Sequence, residues 1–364
     1  MNLSFLRFGI SCCRDKPILS KGKLDAMVSQ DEIGPVYDKL SGIYDIWGRL
    51  TESRARDRAI ELAAIEDGQD ILRWLLESRF GGDAEYAKEY LDKLREVRDG
   101  VLNHRLKLGD GAVLLDVGAG DGLIGFGALD RLGPNGRVIF SDISRSRLDH
   151  CRSLAAQMTM SERCEFVEAR AEDLRPIADD TVDAVTTRSV LIYVADKAAA
   201  FREFHRVLKP GGQISLFEPI NRYGLDAWRF DVTPVSDLAQ RLRDFYRRLQ
   251  PPDSDPMLDF DEHGLVALCE ATGFVDIHLA LHIFVRPATR QPWDRVISIP
   301  GNPNMPSLRE AMAEVFTPEE ATRYETHVRP RVEAGHGVVR EAVAYLAARK
   351  PEREAPTPLN AGLS

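Results

Sequence analysis

Apolar and polar positions fall into zones of different period along the chain. Residues 31–108 place apolar side chains at helical spacing. Leu62, Ile65, Ile71, Leu72, Leu75 and Leu76 form one such series, and Tyr90, Leu91, Leu94, Val97 and Leu102 another. Gly81-Gly82 divides this block into at least two helices. Residues 109–288 instead alternate short apolar runs with helical stretches. Strands are expected at Ala112–Val117, Arg137–Asp142, Cys164–Glu168, Val182–Thr187 and Gln213–Glu218, and within Phe274–Val285. Between them, helices are expected from Leu123 to Arg131, from Ser144 to Met158, from Asp196 to Val207 and from Asp261 to Ala271. Ser144 and Asp196 are suitable N-caps, and Pro210-Gly211-Gly212 stops the third helix. Such alternation implies a parallel sheet with helices on both faces. The stretch from Pro219 to Met257 is too long for a plain connection, so it should hold extra helix or function.

The two ends read differently. In residues 289–349, Leu308–Phe316 and Pro318–Val328 look like helices, with Thr317 capping and Pro318 at the first helical position. Val338–Arg349 is ambiguous: propensity alone makes it a helix, whereas topology allows it to be the last strand of the sheet, displaced by a helical insertion at about 290–335. Residues 1–30 show no clear pattern and are expected to be loose. Residues 350–364, rich in Pro, Glu, Thr and Asn, are expected to be disordered. The segment from Met1 to Cys13 is short, is broken by Arg7 and lacks a small-residue cleavage site, so it is not read as a signal peptide. Met27 is an alternative start.

Composition narrows the class. The 364 residues carry 48 basic and 57 acidic side chains, a net charge of −9, which argues against a nucleic-acid binder. With 44% hydrophobic and 29% charged residues the chain is an ordinary globular one, and no run reaches the length of a membrane helix. Five cysteines (Cys12, Cys13, Cys151, Cys164 and Cys269) form no CxxC pair, which suggests a reduced, cytoplasmic protein without structural zinc. His278 and His282 would share a strand face but have no evident third ligand, so no metal is expected. His336, between two glycines, could enter a site from a loop.

The chemistry concentrates in Leu114-Leu115-Asp116-Val117-Gly118-Ala119-Gly120-Asp121-Gly122, which follows a strand and opens a helix. Glycines allow a sharp turn and close backbone approach, and a helix start offers N–H groups. A dinucleotide fingerprint would need glycine at position 123, where Leu123 stands. Asp142 ends the next strand, where an acid can accept hydrogen bonds from ribose hydroxyls. Ala171-Glu172-Asp173 follows the third strand, and Leu208-Lys209-Pro210-Gly211-Gly212 leads into the fifth.

Together LLDVGAGDG (114–122), FSDIS (140–144), RAEDL (170–174) and RVLKPGGQISLFEP (206–219) resemble the class I S-adenosylmethionine-dependent methyltransferases. The resemblance spans Gly109 to Pro287 and implies an α/β, Rossmann-like doubly wound sheet of about seven strands, with S-adenosyl-L-methionine as cofactor and S-adenosyl-L-homocysteine as product. Carried over residue by residue, it puts Asp116 and the Gly118, Ala119, Gly120 and Gly122 backbone at the methionine end. It puts Asp142, followed by Ile143, at the ribose. Asp173 reads the adenine amine with Glu172 beside it, and Arg188 and Ser189 line the cavity between cofactor and acceptor. A second, partial likeness lies in VYDKLSGIYDIW (36–47), similar to the lead-in of quinone-biosynthesis methyltransferases, where Tyr37 and Tyr44 would cover the cofactor.

Methyl transfer from a sulfonium is an in-line displacement, so alignment matters most and a base only when the nucleophile starts protonated. Glu218, Arg188 and Tyr193 are the catalytic candidates, with Asn221, Arg222 and Tyr223 nearby at the carboxyl ends of strands four and five. Glu218 alternatively pairs structurally with Arg222 or Arg188. The reading is a small-molecule acceptor under a helical lid, without nucleic acid or membrane, and with a homodimer left open. The alternatives are a methyltransferase for a macromolecule and a non-catalytic cofactor-binding regulator. The length is assigned to one sheet of about 180 residues with helical additions, with 31–108 as a cap and 289–349 as an insertion or lid, rather than to a second domain.

Overall fold

The computed structural model describes residues 84–103, 105–225, 227–298, 300 and 305–353. The lead-in 36–47 with Tyr37 and Tyr44, the loose start, most of the 31–108 cap and most of the 350–364 tail lie outside the described residues, as does the question of Met1 against Met27.

Helix α1 (Ala84–Asn103) precedes β1 (Val113–Val117), whose five residues are all buried. Then follow α2 (Leu123–Ala128), β2 (Arg137–Asp142), α3 (Arg145–Gln157), β3 (Cys164–Glu168), β4 (Val182–Arg188) and α4 (Lys197–Val207). After β5 (Leu208–Pro219) come α5 (Ser236–Leu249), α6 (Glu262–Thr272), β6 (Val275–Pro287), α7 (Trp293–Ser298), α8 (Leu308–Val315), α9 (Pro318–Ala334) and β7 (Val338–Arg349). The expected caps form: Ser144, Asp196 and Thr317 each accept a backbone N–H of their helix, and Asp261 caps α6 in the same way.

The strands make one seven-stranded sheet in the order β3-β2-β1-β4-β5-β7-β6. Strands β1 to β5 are parallel, and β7 runs antiparallel between β5 and β6, pairing Pro219 with Val343 and Gln213 with Arg349. This is the doubly wound sheet expected. It also decides Val338–Arg349, where helix propensity loses to two flanking strands that satisfy the backbone on both sides. Pro210-Gly211-Gly212 is not the helix stop expected. Helix α4 ends at Val207, Leu208 is already extended, and the three residues belong to the start of β5. The helix after the glycine loop is shorter than expected, ending at Ala128 rather than Arg131.

Two apolar clusters sandwich the sheet. One joins α4 and α6 to it through Phe201, Phe204, Leu265 and Phe274, and the other joins α1, α2 and α3 through Val97, Val101, Phe126 and Leu148. A third is separate: α5, α7, α8 and α9 pack Leu238, Leu242, Phe245, Trp293, Met312, Tyr324 and Val328 on one another. The long connection after β5 and the late insertion therefore build one helical unit with its own core. Among the described residues no helix is long and apolar enough to cross a membrane.

Candidate active site

β1, β2, β4 and β5 all end at one rim of the sheet, because parallel strands share a direction. The glycine loop leaves β1 there. Gly118, Gly120 and Gly122 have φ of +64°, +56° and +78°, a conformation that side-chained residues adopt at a cost. A Cβ at Gly118 would lie 2.4 Å from Val190 Cγ2, and one at Gly122 2.4 Å from the Phe126 ring, whereas at Gly120 the nearest atom would be 3.8 Å away. The loop is thus packed on two sides and leaves a cradle at Gly120.

Asp116 lies beneath this loop. Its oxygens accept from Gly125 N at 2.9 Å and Thr186 Oγ1 at 3.0 Å, which ties the start of α2 to β4. Burial pushes its pKa up to about 7 against the pull of these bonds. Asp142 accepts from Gly120 N and Ser144 N, both at 2.9 Å, so β2 grips the loop and α3 at once. Burial raises its pKa too. The Ile143 backbone bonds to it as well; a carboxylate has about four acceptor positions, so about one remains for a hydroxyl group. Ile143 next to it is among the exposed large apolar side chains, an apolar floor beside the cradle.

At the end of β4, Arg188 reaches Asp121 of the glycine loop at 3.4 Å, with both side chains mostly shielded. Ser189 takes a left-handed φ of +57°, and its buried Oγ has no hydrogen-bond partner among the described residues. Glu218 is fully buried at the end of β5. Its Oε1 accepts from Thr187 Oγ1 and Val190 N, both at 3.0 Å, while Oε2 has no partner among the described residues. Burial pushes its pKa up to about 7, with the backbone of Val190, Leu191 and Ile192 opposing that rise. The pairing with Arg222 or Arg188 considered for it does not form, since Arg222 meets Asp253 and Arg188 meets Asp121. Tyr193 packs against the inner core cluster, Asn221 is buried, and Tyr223 is exposed.

The acids after β3 separate. Asp173 turns to the surface, where Arg175 grips both its oxygens and holds its pKa below the usual carboxylate range. Glu172 is the more shielded of the two and lies 3.7 Å from Arg170. His278 and His282 do lie on one strand, with the His282 ring 5.3 Å from that of Tyr345. Two participants were missed in the sequence. Asp121 was hidden between two glycines of the run. Thr187 was hidden in a strand that reads as apolar packing.

The cradle at Gly120, the Ser189 Oγ and the remaining acceptor position of Asp142 fit S-adenosylmethionine, whose ribose and amino-acid ends need acceptors and close backbone. A family profile described as a methyltransferase domain matches residues 115–216, from within β1 to within β5. The ubiquinone/menaquinone biosynthesis C-methyltransferase UbiE of Hahella chejuensis is 31% identical over 188 residues, covering 48% of this chain and 75% of that protein. UbiE of Klebsiella pneumoniae is 33% identical over 178 residues, or 46% and 69% of the two chains. Among solved structures, phosphoethanolamine N-methyltransferase 2 of Haemonchus contortus with bound S-adenosyl-L-methionine superposes with a TM-score of 0.42 at 15% identity, covering 71% of this chain and 53% of that one. The loop, the sheet order and a shared sequence over three quarters of a curated relative agree: the chain belongs to the class I S-adenosylmethionine-dependent methyltransferases and is similar to their quinone-biosynthesis branch.

Proposed function

We propose that this enzyme transfers the methyl group of S-adenosylmethionine to a small-molecule acceptor held between the sheet rim and the lid. The observation that supports this is a group of four helices with their own core, inserted after β5 and after β6, which we read as the lid. The likeness to C-methyltransferases of quinone biosynthesis supports a small acceptor over a macromolecular one. When bound, the cofactor supplies an electrophilic methyl group on a good leaving group, so the protein's task is alignment and exclusion of water.

In this reading the Gly118, Ala119, Gly120 and Gly122 backbone takes the methionine end, Asp142 the ribose hydroxyls, and Ile143 and Glu172 flank the adenine. Asp116 works from below by keeping the loop in its left-handed turns. Asp173, engaged by Arg175, would have to release that contact to reach the adenine amine. Arg188 holds Asp121 and closes the cavity between donor and acceptor. Glu218 acts as a positioning residue, fixing the turn Val190–Ile192 that presses on Gly118 and leads to Tyr193.

The test supplies isotopically methyl-labelled S-adenosylmethionine with a cell extract split into low-mass, protein and RNA fractions. Label should enter a low-mass compound. Label confined to protein or RNA would contradict the small-acceptor reading.

A further inference from the structure

Lys197 opens α4 and is only 6% exposed, so its ammonium stands where a charge is costly. All three ammonium hydrogens are engaged: Nζ donates to Val194 O at 2.9 Å, to Pro256 O at 3.1 Å and to Asp259 Oδ1 at 2.6 Å. The Phe260 ring adds a cation–π contact, its centroid 4.8 Å from the same nitrogen. Val194 closes the turn Leu191–Tyr193 that follows β4. Pro256, Asp259 and Phe260 belong instead to the loop 250–261, between α5 and α6.

That loop joins the helical unit read as the lid, which contains α5, to the core, which contains α6. The turn after β5 holds it too. Buried Asn221 donates from Nδ2 to Met257 O at 3.1 Å, and Arg222 pairs with Asp253 at 2.8 Å. Within the loop, Asp255 accepts from Met257 N at 2.8 Å and from Gln250 Nε2 at 3.1 Å, while Leu258 and Phe260 are buried. The loop is therefore bonded to the turns after both β4 and β5, the strand ends where the acceptor candidates stand. The turn after β4 also meets the cofactor cradle, because Val190, which leads into it, lies so close to Gly118 that a Cβ there would fall 2.4 Å from Val190 Cγ2.

Stability alone does not account for this ammonium. An apolar side chain of similar volume would fill the space without the desolvation cost, and such exchanges of buried ion pairs are often neutral or stabilising. What the ammonium adds is direction: three bonds from one point charge fix where Val194, Pro256 and Asp259 stand relative to one another. We infer that Lys197 is a positioning residue for methyl transfer, pinning the loop 250–261 beside the turn Leu191–Tyr193 so that the loop forms the acceptor-side wall of the site. The inference rests on the small-acceptor reading above and assigns one wall of that acceptor's site.

The test compares the full-length parent with Lys197→Met, which keeps the length of the side chain and removes its charge. Initial rates of transfer from labelled S-adenosylmethionine are measured over serial dilutions of the low-mass fraction of a cell extract. In Lys197→Met the amount of fraction giving half the maximal rate should rise about tenfold with the maximal rate little changed, the size of one lost hydrogen bond to a charged group. Calorimetric affinity for S-adenosylmethionine should match the parent's, which also reports folding. Asp259→Asn weakens the clasp from the loop side, at a carboxylate whose side chain is 23% exposed. It should shift half-saturation in the same direction by about threefold, and it decides the matter alone if Lys197→Met fails to fold. Half-saturation at the parent's amount in either folded variant would overturn the inference. So would loss of S-adenosylmethionine affinity in step with transfer, which marks a general loosening. If the parent labels a low-mass compound and the variants match it, only this inference fails. If the parent labels none, the small-acceptor reading fails and takes the inference with it.

Discussion

Glu218 and Asp116 are carboxylates placed where a charge is costly, and both have pKa values pushed up to about 7 by burial. An unfolded glutamate titrates near 4.5, so the folded state holds the Glu218 proton more tightly. The stability from this group is complete below pH 4.5 and is lost as pH rises through about 7. Glu218→Gln keeps an oxygen to accept from Thr187 and Val190 but never ionises. Its melting temperature relative to the parent should therefore rise between pH 5 and pH 8. A difference that is flat across that range would show that Glu218 does not titrate there. The acid-rich surface works in the opposite direction: Asp180, clasped by Lys350 and Arg353, is held below its usual range. The parent's whole profile mixes these effects, and only the difference isolates Glu218.

At the level of elements, α1 lies on the sheet at Gly100, where a Cβ would fall 2.2 Å from Tyr345 Cε1. Tyr345 is itself wedged against Phe217 at 5.1 Å. In a free helix, alanine would be favoured over glycine by about 1 kcal/mol. Here Gly100→Ala should instead destabilise by about 1–3 kcal/mol, the usual cost of overpacking, and Tyr345→Leu in the same chain should recover part of it. Denaturant titration of the two variants gives the sign. Stabilisation by Gly100→Ala would mean that α1 does not dock on β7.

The same elements show what the sequence could and could not reveal. Strands β1 to β5 were legible because each is a short apolar run ended by glycine or by a polar residue that starts the next turn. Strand β7 was not, because VVREAVAYLAAR satisfies a helix as well as a strand, and only pairing with β5 and β6 decides it. In the site, glycine spacing and the position of Asp142 were visible locally. The fate of Asp173 depends on Arg175, and that of Arg188 on Asp121 sixty-seven positions away, a contact no spacing rule encodes.

Across the whole molecule, the additions to the core are more than excess length. The connection after β5 and the insertion after β6 share one apolar cluster. A net charge of −9 disfavours the phosphate backbone, so fluorescence anisotropy with labelled duplex DNA or RNA should show no binding at physiological salt. Micromolar binding there would favour a macromolecular acceptor. Beneath this lies the claim that one rim of the sheet, through the glycine loop and Asp142, holds the methyl donor. Calorimetric titration of S-adenosylmethionine into the parent, Asp142→Ala and Gly118→Arg tests it most directly. The parent should bind, Asp142→Ala should lose about tenfold or more as charge-assisted bonds disappear, and Gly118→Arg, with no room beside Val190, should lose binding outright. Equal affinity in all three would contradict the site.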